Sequence, residues 1–403
     1  MPDHPAKSRA TPQRVIELDA LRGVAVAGIV LINVYAFALP AQAYYNPTVF
    51  GGEEWIDRLI WAVSFVFIED KFRTLFAMMF GAGCLILIER SQASPWRAHF
   101  ARMAVLFVIG LVHSVLLAGN DVLRAYALAA IALPFIAHLS SRALIAVAIG
   151  LVGIHFGAGL VAFGSAVVDF YSGRVESDAF LFARRNFGDD PAALQFMLER
   201  GREGFEERVW RRVAGIPSQI SLLTLSLPIN LAAMTLGMAL WKNRLLAAEW
   251  RTFRLQRLAA VAALLSLPAL FALVWWVADS DFAGSHVGAA ALVLSAPFDA
   301  ALAFAYAALA MAFFNPQGAL TRRFAAAGRL SLTNYLATSV ILGSLFASWG
   351  LGLFGGVSRA QAFLIAGLPI AGMLLLSPLW IMRFGQGPAE RLWRAASRVL
   401  GGA

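Results

Sequence analysis

Long apolar runs separated by short polar breaks set the pattern of this chain. The runs fall at 18–39, 72–88, 100–117, 122–139, 143–168, 220–241, 258–278, 287–314, 330–349 and 360–382. They are roughly 17 to 28 residues long, and a helix rising 1.5 Å per residue needs about 20 to cross a bilayer. The run at 55–68 is apolar but covers only about 14 residues, too short for a full crossing, and is predicted to be a re-entrant or interfacial helix. The pattern predicts an all-α fold, a polytopic membrane bundle of about ten transmembrane helices.

Charge in the breaks orients that bundle. Lys7, Arg9 and Arg14 precede the first run, and Arg90, Arg97 and Arg102 flank the break after the second. Further basic breaks hold Lys242, Arg244, Arg251, Arg254 and Arg257, then Arg322, Arg323 and Arg329, then Arg383, Arg391, Arg394 and Arg398. The intervening breaks carry Glu53 and Glu54, Asp121, and Asp279 and Asp281. Ten crossings put every basic break on one side, as expected for a bacterial inner-membrane protein with both termini in the cytoplasm. An eleventh crossing at 55–68 would export Arg90 to Arg102. Residues 38–43 resemble a signal-peptidase site. The run before them is as long as a full span and begins with Glu17 and Asp19, so the first helix is expected to remain uncleaved.

The organisation that follows is a cytoplasmic tail (1–17), an N-terminal half (18–168), an outer-face connector (169–219), a C-terminal half (220–383) and a basic cytoplasmic tail (384–403). Within the connector, 172–212 carries eight basic and eight acidic residues, so charge says nothing of its side. Its pattern fits either amphipathic helices capping the outer face or a solvated link. No repeat relates the two halves, which weakens an inverted-repeat transporter reading.

Composition sharpens this picture in three respects. Of 403 residues 60% are hydrophobic and 14% charged, with mean hydropathy +0.70, against about a quarter charged in soluble domains. The net charge of +9 sits in short breaks between apolar runs, and nucleic acid is not an expected partner. Cys84 is the single cysteine and the six histidines are scattered, so neither a disulfide nor a metal site is expected. No phosphate-binding loop, dinucleotide fingerprint or Gly-x-Ser-x-Gly elbow occurs.

Candidate chemistry falls at two depths. Asn33 lies about six residues, roughly 9 Å, below the outer end of its run, and His113 about four residues, roughly 6 Å, below the end of its own. Lys71, Asp121, Arg124 and Tyr126 open runs at the same level, and a shared aqueous pocket would explain the tolerance of these groups. His113 has the titration range of a general base, or is a histidine bridging helices. Asp121 either orients His113 or pairs with Arg124. Lys71 either meets an oxyanion or anionic head group, or snorkels to water. On the cytoplasmic side Asp19 and Arg22 are spaced to pair on one helix face, and Arg329, Asn334 and Tyr335 open the ninth run. His155 and His286 read as structural, and Gly81, Gly83 and Gly110 as places of close helix contact.

Four blocks carry a resemblance. They are Glu17-Leu18-Asp19-Ala20-Leu21-Arg22-Gly23 with Asn33; Asp70-Lys71-Phe72-Arg73-Thr74-Leu75-Phe76 with Phe80-Gly81-Ala82-Gly83; Gly110-Leu111-Val112-His113 with Asn120-Asp121-Val122-Leu123 and Tyr126-Ala127; and Gly328-Arg329-Leu330-Ser331-Leu332-Thr333-Asn334-Tyr335 with 350–355 and 387–394. In this order they resemble the YeiB family of bacterial membrane proteins, whose signature domain is named only as one of unknown function (418). That family is similar in turn to transmembrane acyltransferases, which take an acyl group from cytoplasmic acyl-CoA and place it on a sugar or lipid across the membrane.

The resemblance implies a fold of about ten spans and gives the two polar levels a joint meaning, donor below and acceptor above. It implies acyl-CoA as donor substrate with no bound cofactor, a glycan or lipid acceptor, and membrane lipids as surroundings. Where the bacterial O-acyltransferases place a histidine this chain has Asn33, which cannot act as a base though its amide can donate to an oxyanion. Acyl transfer would therefore rest on His113 as base, with Asp121, Asn33 and Lys71 in support. Asp19, Arg22, Arg329, Asn334, Tyr335, Arg124 and Tyr126 would serve donor or substrate binding. A transporter or exporter of a small envelope metabolite is the alternative, and oligomeric state stays open.

Overall fold

The computed structural model describes residues 15–90 and 95–401, so Lys7, Arg9 and Arg14 lie outside the described residues. The described chain is helical, without a strand. It runs α1 (Ile16–Ala38), α2 (Ala41–Tyr45), α3 (Trp55–Phe67), α4 (Lys71–Arg90), α5 (Pro95–Leu116), α6 (Leu123–Ala130), α7 (Leu133–Ile136) and α8 (Ser141–Tyr171). Then come α9 (Asp178–Phe187), α10 (Pro191–Gly201), α11 (Phe205–Ala214), α12 (Ile216–Lys242), α13 (Thr252–Asp279) and α14 (Gly284–Ala289). A π turn, Ala290–Leu294, leads into α15 (Ala296–Phe313), followed by α16 (Ala319–Arg329), α17 (Ser331–Phe346), α18 (Arg359–Ile365), α19 (Gly367–Phe384) and α20 (Pro388–Gly401).

Among the described residues eight helical stretches are long and apolar enough to cross a membrane, with Trp55–Glu89 taken as one of them. This is a membrane-embedded helical bundle. Its lipid-facing residues are those a soluble protein would hide, such as Leu264, Leu265 and Phe271 on α13 and Leu375, Leu376 and Met382 on α19. Within Trp55–Glu89 the helix is broken between α3 and α4, where Asp70 takes φ +58.

Two expected spans take another form, each for a physical reason. The run 122–139 is split into α6 and α7 because Pro134 has no N–H for the Ala130 carbonyl one turn earlier. The His99 ring meets that carbonyl instead, at 2.8 Å, and Lys242 Nζ donates to the carbonyls of Ala137 and Leu139 at 2.6 and 2.7 Å. The run 330–349 yields only the 16 residues of α17, about 24 Å of helix. In the run 287–314 the π turn and Pro297 interrupt the α ladder, and His155 donates to the Leu292 carbonyl at 2.9 Å.

Close crossings hold the halves together. A Cβ on Gly328 would sit 1.8 Å from the Asp19 carbonyl oxygen and one on Gly23 2.1 Å from that of Phe324, so α1 and α16 touch backbone to backbone. Gly81 and Gly237 join α4 to α12 in the same way, 2.1 Å from the Met234 oxygen and 1.9 Å from that of Met78. Gly328→Leu is therefore expected to destabilise the protein by on the order of 3 kcal/mol, read as a lower melting midpoint in detergent. Gly150→Leu, into open space on α8, should leave the midpoint undiminished.

The connector is built of α9, α10 and α11 and is tied to the bundle. Asn46 Nδ2 donates to the carbonyls of Phe187 and Phe282 at 2.8 and 2.9 Å, and Gln42 Nε2 to that of Arg185 at 3.1 Å. Ser348 Oγ donates to the Glu203 carbonyl, and Arg212 Nη1 to that of Val115 at 3.2 Å. The three helices lie over the face that bears the C-terminal end of α1.

Candidate functional site

His113 stands one turn before the end of α5, with Gly110 three positions earlier on the same helix face. A Cβ at Gly110 would come within 2.6 Å of Asp121 Oδ1, so the bare backbone is what admits the carboxylate. Asp121 then does two jobs. Oδ1 accepts from the Arg124 amide at 3.0 Å at the start of α6, and Oδ2 accepts from His113 Nδ1 at 2.7 Å. The two residues are 3% and 4% exposed. A carboxylate only accepts, so Nδ1 carries a proton and Nε2 is the ring nitrogen left to meet another group. Nε2 is buried and has no hydrogen-bond partner among the described residues.

Tyr335 of α17 completes the group. Its hydroxyl is 3.5 Å from Asp121 Oδ2 and accepts from the Val122 amide at 3.4 Å, and its ring centroid lies 5.1 Å from that of His113. The sequence reading put Tyr335 on the cytoplasmic level and Asp121 on the outer one. The structure brings them together, with the Tyr335 hydroxyl beside Asp121 and Val122.

Beside this pair opens a cavity of about 440 Å³. One stripe of α1 (Ile29, Ile32, Asn33, Ala36 and Phe37, spaced three and four apart) forms a wall. Leu116 to Asn120 and Val122, which flank the His113–Asp121 pair in sequence, form another. Ile68, Asp70, Phe72 and Arg73 come from the α3–α4 turn and the start of α4, and Tyr44 and Tyr45 from α2. The connector closes the cavity with Arg200, Arg208, Arg211 and Arg212, beside Gln219 at the start of α12.

These arginines were not singled out from the sequence, where equal numbers of acidic and basic residues masked them. The available signal was spacing: Arg208, Arg211 and Arg212 stand at i, i+3 and i+4, one face of a helix. Of the lining arginines, Arg73 pairs with Asp70 at 2.8 Å and Arg211 with Glu203 at 2.6 Å. Arg200, Arg208 and Arg212 have no ion pair among the described residues. Arg200 lies over the Phe196 ring, and Arg208 bonds backbone carbonyls while its Nε is left without a partner. Burial, together with the neighbouring charges of Arg208 and Arg211, pushes the Arg212 guanidinium down to about 10.

The other sequence candidates sort as follows. Asn33 lines the cavity. Lys71 does not: it turns into the bundle, where Nζ meets Asp299 Oδ1 of α15 at 2.6 Å and donates to the Phe65 carbonyl. That is a correction to its expected place in the outer pocket. Successive helical residues are about 100° apart, so Lys71 and Arg73 face different surroundings. Arg124 backs the cavity wall, donating to Gln219 Oε1 at 2.7 Å and the Gly119 carbonyl at 3.2 Å. Tyr126 donates to the Arg73 carbonyl at 2.7 Å. On the opposite face Arg22 Nη1 lies 3.4 Å from Asp19 Oδ1, and Arg22 also reaches the Met79 carbonyl. Arg329 donates to the Gly385 carbonyl, and Asn334 to the Ala327 carbonyl and Ser377. Among the described residues no group of three or more metal-ligating side chains converges.

Comparison with known proteins shows which family the chain resembles along its length. Residues 240–399 match a family model described as a protein of unknown function (DUF418). The chain is 30% identical over 400 residues to the uncharacterized protein YeiB of Escherichia coli K12, covering 95% of this chain and 96% of that protein. It is 26% identical to the uncharacterized protein YxaH of Bacillus subtilis 168, over 96% of this chain and 95% of its relative. No solved structure matches it.

Proposed function

This chain belongs to the YeiB family, and from that premise we propose that it is a membrane-embedded acyltransferase. It moves an acyl group from acyl-CoA to an acceptor held in the cavity beside His113 and Asp121. The observation that carries this reading is the buried Nδ1–Oδ2 bond of 2.7 Å, which leaves His113 Nε2 as an unpartnered base.

The proposed chemistry follows from that arrangement. Once Nε2 is uncovered to the cavity, it takes the proton of an acceptor hydroxyl or amine as that atom attacks the thioester carbonyl. Asp121 stabilises the imidazolium, and the Asn33 amide donates to the oxyanion. The carbon–sulfur bond then breaks and the imidazolium returns the proton to the departing CoA thiolate, so the protein ends unchanged. In this reading the protein sits in a bacterial inner membrane, with the arginine-lined face periplasmic and the Asp19–Arg22 face, toward the donor, cytoplasmic. Arg22 is a candidate contact for the donor's phosphates.

Thermal stability of the purified protein with acetyl-CoA and longer acyl-CoA, against free CoA, tests the donor. A ligand that binds only the folded state stabilises by about 2.7 kcal/mol at a hundredfold excess over Kd, which should raise the midpoint measurably. No shift with millimolar donor would rule against acyl transfer. It would favour the second reading, a transporter, which rests on a different observation: Lys71 and Asp299 form an ion pair inside the bundle, with Glu69 and Arg359 buried near it.

A further inference from the structure

The cavity combines two chemistries that no single polar or apolar ligand would satisfy. Its connector side presents Arg200, Arg208 and Arg212 without carboxylate partners, and Asp70 is the one acidic residue among its lining. Its α1 wall is mostly apolar, with Ile29, Ile32, Ala36 and Phe37 around Asn33 and Leu116 of α5 beside them. Ile29 lies nine residues before the end of α1, about 13 Å into the membrane. Guanidinium groups with fixed N–H forks are suited to phosphate oxygens, and four arginines (Arg200, Arg208, Arg211 and Arg212) around the one neighbouring carboxylate, Glu203, which Arg211 binds, leave a surplus of positive charge. The cluster is held rigidly for a connector: Arg212 is anchored to Val115, Arg208 to Gly201, and Gly201 lies against the Phe354 ring.

We propose that this cavity binds an anionic, phosphate-bearing lipid, its phosphate on Arg200, Arg208 and Arg212 and its first methylenes along Ile29, Ile32 and Phe37. Naming that lipid the acyl acceptor rests on the acyl-transfer reading above; the binding itself does not. The size agrees, since about 440 Å³ holds a head group and a short stretch of chain but no whole two-chain lipid.

The test uses the full chain, purified in a neutral detergent. It is titrated with short-chain phosphatidic acid, short-chain phosphatidylcholine, glycerol phosphate and inorganic phosphate, and read by melting midpoint and by native mass spectrometry. Phosphatidic acid should raise the midpoint and stay bound, with phosphatidylcholine and the two soluble phosphates weaker by on the order of tenfold or more. Arg208→Gln and Arg212→Gln should each weaken phosphatidic acid by on the order of tenfold, whereas Arg322→Gln, remote on α16, should not. Equal binding by all three variants, or equal loss in all three, would overturn the site. Equal affinity for glycerol phosphate and the lipid would overturn the apolar half. Should Arg212→Gln fail to fold, Arg200→Gln, which anchors no backbone carbonyl, gives the same reading. None of these measurements involves acyl-CoA, so failure here and failure of the acyl-transfer reading are separable.

Discussion

His113→Ala is expected to abolish acyl transfer, a loss of about two to four orders of magnitude, and to lower the melting midpoint, because the buried Asp121 carboxylate loses its partner. Asp121 keeps the Arg124 amide at 3.0 Å and stays 3.7 Å from the Arg124 guanidinium, so part of its charge remains compensated and the variant is expected to fold. Asp121→Asn should be nearly as damaging by another route. An asparagine amide donates to Nδ1, which moves the imidazole proton to Nε2 and occupies the lone pair the reaction needs. Full activity in a folded His113→Ala protein would remove His113 from the chemistry, and with it the reading of Asp121 as its positioning partner.

Lys71→Met should have the largest effect on stability. Lys71 Nζ and Asp299 Oδ1 are 2.6 Å apart, with side chains 1% and 4% exposed, and Nζ lies 5.3 Å from the centre of the Phe65 ring. Removing one member of a buried pair leaves the other charge without compensation, at a cost of about 3–5 kcal/mol. Replacing both, Lys71→Met with Asp299→Leu, should restore most of that loss, since apolar side chains of similar volume suit the same space. The comparison of single and double variants by melting midpoint decides the matter. If the double variant is as unstable as the sum of the singles, the pair is not coupled. If it is stable yet loses function in cells, the pair serves the transporter reading rather than the fold.

Much of this architecture was legible in the chain, because apolar run length is a strong signal in a membrane protein. The His113–Asp121 pair was legible too. It stood in the sequence as one of two readings of Asp121, and the structure shows both, with Oδ2 on His113 and Oδ1 beside Arg124. What depth along a helix does not reveal is direction around it. Lys71 and Arg73 share a level, yet one meets α15 and the other the cavity. Tyr335 meets Asp121 across the bundle, a contact that residue spacing within one run does not encode, and α6 and α17 are shorter than the runs that contain them. The break after α6 needed two facts read together, Pro134 and the His99 ring that serves the carbonyl it leaves. The connector's arginines were hidden by net neutrality. Helical spacing sorts its charges by face, and a simple count does not.

The π turn before α15 also governs which way that helix looks. An α-helix advances about 100° per residue, and the wider π turn takes up about one residue more than an α turn over the same rise. Everything downstream is thereby rotated by close to that angle relative to an uninterrupted helix. Asp299 lies five residues past the last residue of Ala290–Leu294, within the rotated part. The ion pair with Lys71 is thus a matter of phase: the same residues wound without the π turn would aim the carboxylate away from α4. His155, which holds the Leu292 carbonyl from α8, acts in this sense as a stop that keeps α15 at its angle.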